Sequence, residues 1–281
     1  MRFVDFHVHT SASDGSFSPG EVVARAAKAK LTAIGITDHD TMAGISGAVI
    51  AGKKYNMEII PGIEFSTHLK YEEIHILGYY CRPDNVPLIK TINRLKSDRY
   101  ERMEKMVDKI NKLGLRVTFD EVLAEVKGKA IGRPHLARVL CKKGYCKDLG
   151  EAFARYIGFN APAYVKRKEF TPVEAIEIIR GAGGVPVLAH PGTYEKVDFL
   201  SYLVEVGLMG IEVFHPRNSI QVSRRYFRHA SRCGLLITGG SDYHGGKNGQ
   251  GTRLGDVKMD LSFLKRLKQR SRVLRKHGGR F

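Results

Sequence analysis

The chain has 281 residues, of which 43% are hydrophobic and 27% charged, and its formal net charge is +17 with neutral histidines. This apolar fraction excludes an intrinsically disordered chain, and the length suits one large domain or two small ones. The four cysteines are too few for a disulfide framework, and Cys141 and Cys146 lack the C-x-x-C spacing of a zinc site.

Neither a secretory signal nor a membrane span is evident in the sequence. Residues 1–7 contain no apolar region of the kind found in signal peptides. No apolar run approaches the roughly 18–20 residues that are needed to cross a membrane. We therefore expect a reduced, cytoplasmic protein that contacts no membrane, and the sequence predicts no protein partner.

The excess positive charge is concentrated in two parts of the chain. Residues 85–170 carry 20 basic and 10 acidic side chains, and residues 265–281 carry eight basic side chains and no acidic ones. Residues 1–84 and 171–264 are nearly neutral. Such a distribution is typical of a protein that binds polyanions, although a high charge also favours solubility alone.

Seven short apolar runs rich in β-branched residues predict β-strands. They are Arg2–Val8, Thr32–Thr37, Glu58–Ile60, Ile74–Tyr80, Val185–Ala189, Ile211–Phe214 and Leu235–Thr238. Helical patterns separate many of these runs, and the start signals at Ser18–Glu21 and Thr171–Glu174 combine a capping hydroxyl, a proline and a glutamate. Strands that alternate with helices predict βαβ units and a mainly parallel sheet. Seven strands suit a closed or distorted barrel better than a small open sheet.

Residues 85–170 differ from the rest of the chain because no strand pattern interrupts them. Helical patterns extend over residues 88–113, 118–126, 134–142 and 149–156. We interpret residues 85–170 as an all-helical inserted cap in an α/β barrel formed by residues 1–84 and 171–264. The basic tail, residues 265–281, is either a helix or frayed.

His7 and His9 are two residues apart in the first predicted strand. Side chains at i and i+2 lie on the same face of a strand, so both imidazoles can reach one metal ion. This pair alone is a weak signal, because polar residues are also common at strand ends. The other candidate ligands lie at or near the ends of further strand runs, and they are Asp14, His39, Glu64, His75, His190, Asp242 and His244.

The position of these side chains predicts a metal site. In a parallel barrel the C-terminal ends of the strands meet on one face, where active sites are built. Imidazole and carboxylate ligands without thiolates suit zinc, manganese or iron.

The motifs around these residues resemble those of the polymerase and histidinol phosphatase (PHP) superfamily. They are Asp5–Thr10, Thr37–Asp40, Pro61–Glu64, His75, Ala189–Pro191 and Ser241–His244. Their order and approximate spacing are similar to the family's over most of the chain outside residues 85–170. The resemblance implies a distorted (β/α)7 TIM-like barrel that holds two or three divalent metal ions.

Carried over position by position, the resemblance implies three groups of ligands. His7, His9, Glu64 and Asp242 would hold one ion. Glu64, His75 and His190 would hold a second, with Glu64 bridging the two. Asp14, His39 and His244 would hold a third. Manganese is the expected metal because Asp14 supplies a hard oxygen, with iron or zinc as alternatives.

Within the superfamily, His9–Gly15, Thr37–Thr41 and the helical insertion are similar to nucleoside 3′,5′-bisphosphate phosphatases and related 5′-to-3′ exonucleases of short RNA. The expected substrate is therefore a nucleotide or a short oligonucleotide. Arg133 and His135 are candidates for phosphate binding, since guanidinium and imidazole groups donate hydrogen bonds to phosphate oxygens. Alternatively, Arg133 is a solvated residue at the start of a helix.

The expected reaction is metal-assisted hydrolysis of a phosphate ester. Metal coordination lowers the pKa of water from about 15.7 to roughly 7, so a metal-activated hydroxide can attack phosphorus. Glu64 and Asp242 are the catalytic carboxylates, and His215 either binds phosphate, protonates the leaving oxygen or is only structural. Two alternatives remain, a histidinol-phosphate phosphatase and a catalytically silent nucleic-acid-binding module.

Overall fold

Two units make up the chain, and each has its own core. The computed structural model describes residues 2–69, 72–126, 131–194, 199–246 and 251–276. The first unit comprises Met1–Lys90 and Glu169–Phe281, and the second comprises Thr91–Lys168.

The first unit contains an eight-stranded sheet. The strands are β1 (Phe3–Val8), β2 (Leu31–Ile36), β3 (Glu58–Leu69), β4 (Glu72–Tyr79), β5 (Val185–Leu188), β6 (Gly210–Phe214), β7 (Leu236–Gly239) and β8 (Met259–Asp260). Their order in the sheet is β7-β6-β5-β4-β3-β2-β1-β8. The short strand β8 pairs antiparallel with β1 and lies outside the seven predicted runs.

The sheet is nearly closed into a barrel by the segment that follows β7. The backbone N–H of Asp242 donates to the carbonyl of His7, and the N–H of His9 donates to the carbonyl of Tyr243, both at 2.9 Å. These bonds join the segment after β7 to the end of β1. The expected α/β barrel is therefore confirmed, with β8 as an addition.

Ten α-helices are present in the described residues. They are α1 (Pro19–Lys28), α2 (Ile45–Tyr55), α3 (Val86–Lys112), α4 (Phe119–Ala124), α5 (Arg133–Lys142), α6 (Leu149–Ala152), α7 (Pro172–Gly181), α8 (Leu200–Glu205), α9 (Ile220–Arg232) and α10 (Leu261–Lys276). A π-helical turn, Phe153–Ile157, follows α6, and a 3-10 turn, Pro191–Thr193, follows β5. The predicted start signals of α1 and α7 form complete capping boxes, because Ser18 and Thr171 each exchange bonds with the glutamate three residues later.

The region of β3 and β4 differs from the sequence prediction. The prediction that the third strand ends before Glu64 is wrong, because β3 continues to Leu69 and its second half pairs antiparallel with β4. The strand β4 is antiparallel to both of its neighbours. Its first residues therefore lie at the same end of the barrel as the last residues of the parallel strands, which brings His75 to that end.

The strands of the barrel are buried on both faces, as is typical when helices cover the outside. In β1, Val4 and Phe6 pack in one core cluster with Leu77, while Val8 packs in another with Val22 of α1. The residues that alternate with them carry polar side chains. That alternation places His7 among other polar groups while the apolar residues hold the strand in the core.

The basic segment after residue 264 forms most of α10. Leu264, Leu267 and Leu274 of this helix are buried, so its apolar side packs on the barrel. Residues 277–281 of the predicted tail lie outside the described residues.

The second unit consists of helices around a separate core. Met106 and Ile110 of α3 pack in this cluster with Leu136 and Leu140 of α5. No β-strand occurs in the described part of this unit. Across all the described residues, none of the helices combines the length and the apolar character that crossing a membrane requires.

Candidate metal centre

Side chains from three separate parts of the chain meet at one end of the barrel. The Nε2 atoms of His7 and His9 lie 3.0 Å apart. Oε2 of Glu64 lies 3.2 Å from both nitrogens. Oδ1 of Asp242 lies 3.5 Å from Nε2 of His7 and 3.2 Å from Nε2 of His9. Because all four ligand atoms lie within 4.8 Å of one another, this group could hold one metal ion.

Glu64 also faces a second group of imidazoles. Its Oε1 lies 2.9 Å from Nδ1 of His75 and 3.2 Å from Nε2 of His190. Nδ1 of His39 lies 3.1 Å from Oε2 of Glu64, and the ligand atoms of His39, Glu64 and His75 lie within 4.8 Å of one another. The two oxygens of Glu64 thus face different sets of imidazoles.

A third group surrounds Asp14. Its carboxylate oxygens lie 3.4 Å from Nε2 of His244 and 3.7 Å from Nε2 of His39. Nδ1 of His9 is also 3.7 Å from Oδ1 of Asp14, and the ring of His9 stacks on that of His244 with centroids 4.1 Å apart. The structure therefore brings together the three residues implied by the sequence and adds His9 to them.

The backbone is strained at two of these side chains. His190 has φ 26° and Asp242 has φ 51°, which residues with a Cβ rarely adopt. Gly240, two residues before Asp242, approaches the backbone of β1 so closely that a Cβ there would collide with Cβ of His7. Strain of this kind persists where surrounding bonds hold a residue in place, and it is common at functional sites.

The chemistry of the donors fits divalent metal ions. Oε2 of Glu64 is fully buried and accepts no hydrogen bond from the described residues, although three imidazole nitrogens lie within 3.2 Å of it. A buried carboxylate oxygen without a hydrogen bond costs free energy unless a cation compensates it. Imidazole and carboxylate donors without thiolates suit manganese, iron or zinc.

Comparisons with known proteins support this assignment. The PHP domain model matches residues 5–161. A 3′,5′-nucleoside bisphosphate phosphatase from Chromobacterium violaceum is 31% identical over 254 residues, which cover 87% of this chain and 88% of that protein. The chain belongs to the PHP family.

Two further relatives of this PHP protein also match it over most of both chains. A 5′-3′ exoribonuclease from Haemophilus influenzae is 33% identical over 249 residues, covering 85% of this chain and 89% of that protein. The solved structure of a predicted metal-dependent phosphoesterase from Bifidobacterium adolescentis is 31% identical, with a TM-score of 0.84 over 95% of this chain and 96% of that one. The protein is therefore a metal-dependent hydrolase of phosphate esters.

Charges in the PHP site are set by burial and by the attraction between neighbouring groups. Burial raises the pKa of Glu64, but the nearby imidazoles, led by His39 and His7, outweigh it and hold this pKa well below its usual range. Burial lowers the pKa of His39 to about 4, despite the carboxylates of Glu64 and Asp14. Although burial lowers the pKa of His9 and His75, the neighbouring carboxylates outweigh it and raise both values to about 10. Because a metal ion binds neutral imidazole, its binding would release protons from these two rings.

Glu212 is a functional residue that the sequence reasoning missed. It is completely buried in β6, and both of its carboxylate oxygens lie 3.1 Å from Nδ1 of His7. Its Oε2 also accepts the backbone N–H of His190 at 2.8 Å. Glu212 therefore orients one ligand side chain and the backbone of another. A glutamate between Ile211 and Val213, in the middle of an apolar strand, was the available signal.

Asp38 is a second residue whose role only the structure reveals. Its carboxylate accepts hydrogen bonds from the backbone N–H of Thr10 at 2.7 Å, the Thr10 hydroxyl at 2.8 Å and the Ser13 hydroxyl at 2.7 Å. These bonds hold the loop after β1 against the end of β2. The same loop carries Asp14, so Asp38 positions the third group of ligands.

His215 follows the end of β6, and the structure places it beside the candidate ligand Asp242. Its Nε2 lies 3.5 Å from Oδ2 of Asp242. Its Nδ1 accepts the backbone N–H of Arg217 at 3.2 Å, so the neutral ring carries its proton on Nε2, the atom that faces Asp242.

Arg133 and His135 lie at the start of α5, within the helical unit. Arg133 is half-buried, and its guanidinium carbon lies 5.4 Å from the ring centre of Phe153 and 5.8 Å from that of Tyr164. His135 is buried, and its Nδ1 accepts the backbone N–H of Gly132 at 3.1 Å. Arg133 thus begins α5 with its side chain partly packed and partly exposed, and a phosphate-binding role for the pair stays a prediction.

Proposed function

We propose that this PHP protein hydrolyses nucleoside 3′,5′-bisphosphates and the 5′ ends of short oligonucleotides. The observation that carries the proposal is the position of Glu64, whose two oxygens face different sets of imidazoles. A bridging carboxylate suits a pair of ions that hold one phosphate between them. Nucleotide substrates are supported by the names of the two relatives and by the basic charge of residues 85–170.

We assign the ligands of a trinuclear site to the three groups described above. His7, His9, Glu64 and Asp242 bind the first ion. Glu64, His75 and His190 bind the second, and Asp14, His39 and His244 bind the third. Manganese is the proposed metal, with iron or zinc as alternatives, because these ions accept mixed nitrogen and oxygen donors. Bound ions would make water nucleophilic at neutral pH and would withdraw negative charge from the phosphate.

Three residues of the chain are assigned direct roles toward the substrate. The Nε2–H of His215 donates a hydrogen bond to the oxygen of the leaving group, which stabilises the departing alkoxide. Arg133 and His135 donate hydrogen bonds to phosphate oxygens that do not contact the metal ions. A guanidinium group is suited to this task because its planar fork matches two phosphate oxygens.

A substrate panel tests the proposal. The manganese-loaded protein is assayed with adenosine 3′,5′-bisphosphate, a 5′-phosphorylated pentanucleotide and histidinol phosphate, with EDTA-treated protein as the control. We expect kcat/KM for one of the nucleotide substrates to exceed that for histidinol phosphate by about 100-fold. The reverse order would identify a histidinol-phosphate phosphatase. RNA binding without turnover or bound metal would identify a catalytically silent module.

A further inference from the structure

A groove runs between α9 and α10 on the first unit, outside the metal centre. Its first part has a volume of about 1180 Å³ and is lined by the early turns of α9 together with residues 256–260 and Phe263. Its second part, of about 750 Å³, is lined by the later turns of α9, by β7 and by residues 266–273 of α10. Both parts lie between the same two helices, the first beside the early turns of α9 and the second beside its later turns.

The walls of this groove are strongly basic. The helices α9 and α10 contain eleven arginine and lysine side chains and no acidic ones. The basic residues that line the groove are Arg224, Arg228, Lys258, Arg266 and Arg270, and all five are exposed. Within the described part of the chain none of them forms an ion pair, whereas Lys268 of α10 pairs with Glu58 at 2.6 Å.

The two acidic residues in the lining already have hydrogen-bond donors. Asp256 accepts the backbone N–H of Arg253 at 2.7 Å, and Asp260 accepts that of Ser262 at 2.8 Å. These bonds satisfy part of the acceptor capacity of both carboxylates. The five arginines and lysines therefore leave the groove with a net positive charge, which favours a polyanion over a basic or neutral ligand.

Aromatic side chains alternate with these basic ones. Phe214, Phe227 and Phe263 line the first part of the groove. Phe227 is 42% exposed although it is a large apolar residue, and its ring centre lies 6.4 Å from that of Phe214. Basic side chains beside exposed aromatic rings are the combination that binds single-stranded nucleic acid, since bases stack on the rings while cations contact the phosphates.

The first part of the groove borders the candidate metal centre at one buried residue, His215. His215 lines its first part, and Nε2 of the same residue lies 3.5 Å from Oδ2 of Asp242. The groove and the candidate metal ligands therefore adjoin the same residue, His215, from its two sides.

We propose that this groove binds the nucleotides that follow the 5′-terminal one in a single-stranded oligonucleotide. The inference rests on the proposed function, because it assigns the downstream part of the same substrate. Arg224 and Arg228 contact phosphates, and Phe227 stacks on a base. A mononucleotide is too short to occupy the groove, so the groove gives the enzyme a preference for oligonucleotides.

Charge reversal on α9 tests the groove. The variant Arg224→Glu/Arg228→Glu is compared with Lys53→Glu/Lys54→Glu, which makes the same charge change on exposed residues of α2. Each manganese-loaded protein is titrated into a 3′-fluorescein pentanucleotide with a 5′-phosphate and a phosphorothioate first linkage, and anisotropy gives Kd. The ratio of kcat/KM for the unmodified pentanucleotide to that for adenosine 3′,5′-bisphosphate is measured in parallel.

We expect the Kd of the α9 variant for the pentanucleotide to be at least tenfold higher than that of the wild type. Its ratio of kcat/KM for the pentanucleotide to that for adenosine 3′,5′-bisphosphate should fall by a similar factor, while the α2 variant matches the wild type in both measurements. Loss of two phosphate contacts should also reduce the slope of log Kd against log salt by about 1.4. Phe227→Ser, which keeps the charge, should weaken binding by about tenfold.

Equal pentanucleotide binding by the wild type and the α9 variant would overturn the groove assignment. A dimeric wild type that the α9 variant converts to a monomer, measured by light scattering, would also overturn it, because the groove would then be an interface between two copies. Failure of the proposed function would instead appear as a wild type that hydrolyses neither nucleotide substrate, and the anisotropy titration would still decide the groove.

Discussion

Both carboxylate oxygens of Glu212 lie 3.1 Å from Nδ1 of His7, in the buried interior of the barrel. A histidine that donates its second ring N–H to a carboxylate is fixed in one orientation and is a better metal ligand. Glu212 also accepts the backbone N–H of His190, so one carboxylate holds residues from two proposed ligand groups.

Removal of this carboxylate should weaken metal binding before it affects the fold. We expect Glu212→Gln to lower the affinity for manganese by about tenfold and Glu212→Ala by about 100-fold. The measurement is metal content after dialysis at a series of free manganese concentrations. Glu205→Gln, at an exposed position on α8, is the matched control and should retain the wild-type affinity. Unchanged affinity in Glu212→Ala would show that Glu212 does not position His7.

The carboxylates of Glu64 and Asp242 should be essential for hydrolysis. Glu64→Gln and Asp242→Asn each remove a negative charge beside several imidazoles, and we expect kcat/KM to fall by about 10³-fold or more. Circular dichroism should show that both variants stay folded. Asp84→Asn, which changes an exposed acid, serves as the control. Near-normal turnover with full metal content in either variant would mean that the proposed site is wrong.

The role of His215 can be separated from simple binding by changing the leaving group. If the Nε2–H of His215 stabilises the departing oxygen, His215→Gln should lower kcat for a nucleotide substrate by about 10²-fold. The loss should be much smaller for a p-nitrophenyl ester, because p-nitrophenolate leaves without such stabilisation. An equal loss for both leaving groups would assign His215 to phosphate binding or to structure.

Salt should affect the capture of oligonucleotides more than the chemical step. For three phosphate contacts, we expect KM for a 5′-phosphorylated oligonucleotide to rise about 20-fold between 50 and 200 mM salt, since counterions compete for the phosphates. The value of kcat should change little, because buried groups are screened less than exposed ones. A KM that does not change with salt would show that the basic charge does not help to bind the substrate and contributes only to solubility.

The thiol of Cys81 should be unreactive in the folded protein. Burial raises the pKa of Cys81 to about 12, so only about 10⁻⁴ of it is thiolate at pH 8. Cys233 is exposed and should react first with a disulfide reagent. Peptide mass spectrometry after timed labelling at pH 8 distinguishes the two, and denaturant should make Cys81 reactive. Labelling of Cys81 as fast as Cys233 would contradict its burial, and Cys233→Ser should remove the fast phase.

Much of the fold was predictable because its signals are local. The capping boxes at Ser18 and Thr171 involve residues only three positions apart, and both helices begin where the sequence predicts. The end of β3 was not predictable in this way. Beyond Gly62 this strand depends on hydrogen bonds with β4, and a partner strand leaves no local mark in the sequence of the strand it extends.

The candidate site also contains some residues that the sequence could connect and others that it could not. His7 and His9 could be paired from the sequence because their spacing places them on one face of a strand. Glu212 could not be connected to them, because it lies 205 residues from His7 in the chain and its strand is otherwise apolar. The groove between α9 and α10 was also not predictable. The sequence shows that residues 265–281 are basic, but it does not show that they pack beside α9.

By itself, the sequence determined the class of fold, the places where helices begin and the set of imidazoles and carboxylates that can bind metal. Only the tertiary structure decided the direction of β4, the two separate environments of the Glu64 oxygens and the support of His7 by Glu212. The physical reason is the range of the interactions. Capping and strand periodicity act between near neighbours, whereas these contacts join residues that only the closed barrel brings together.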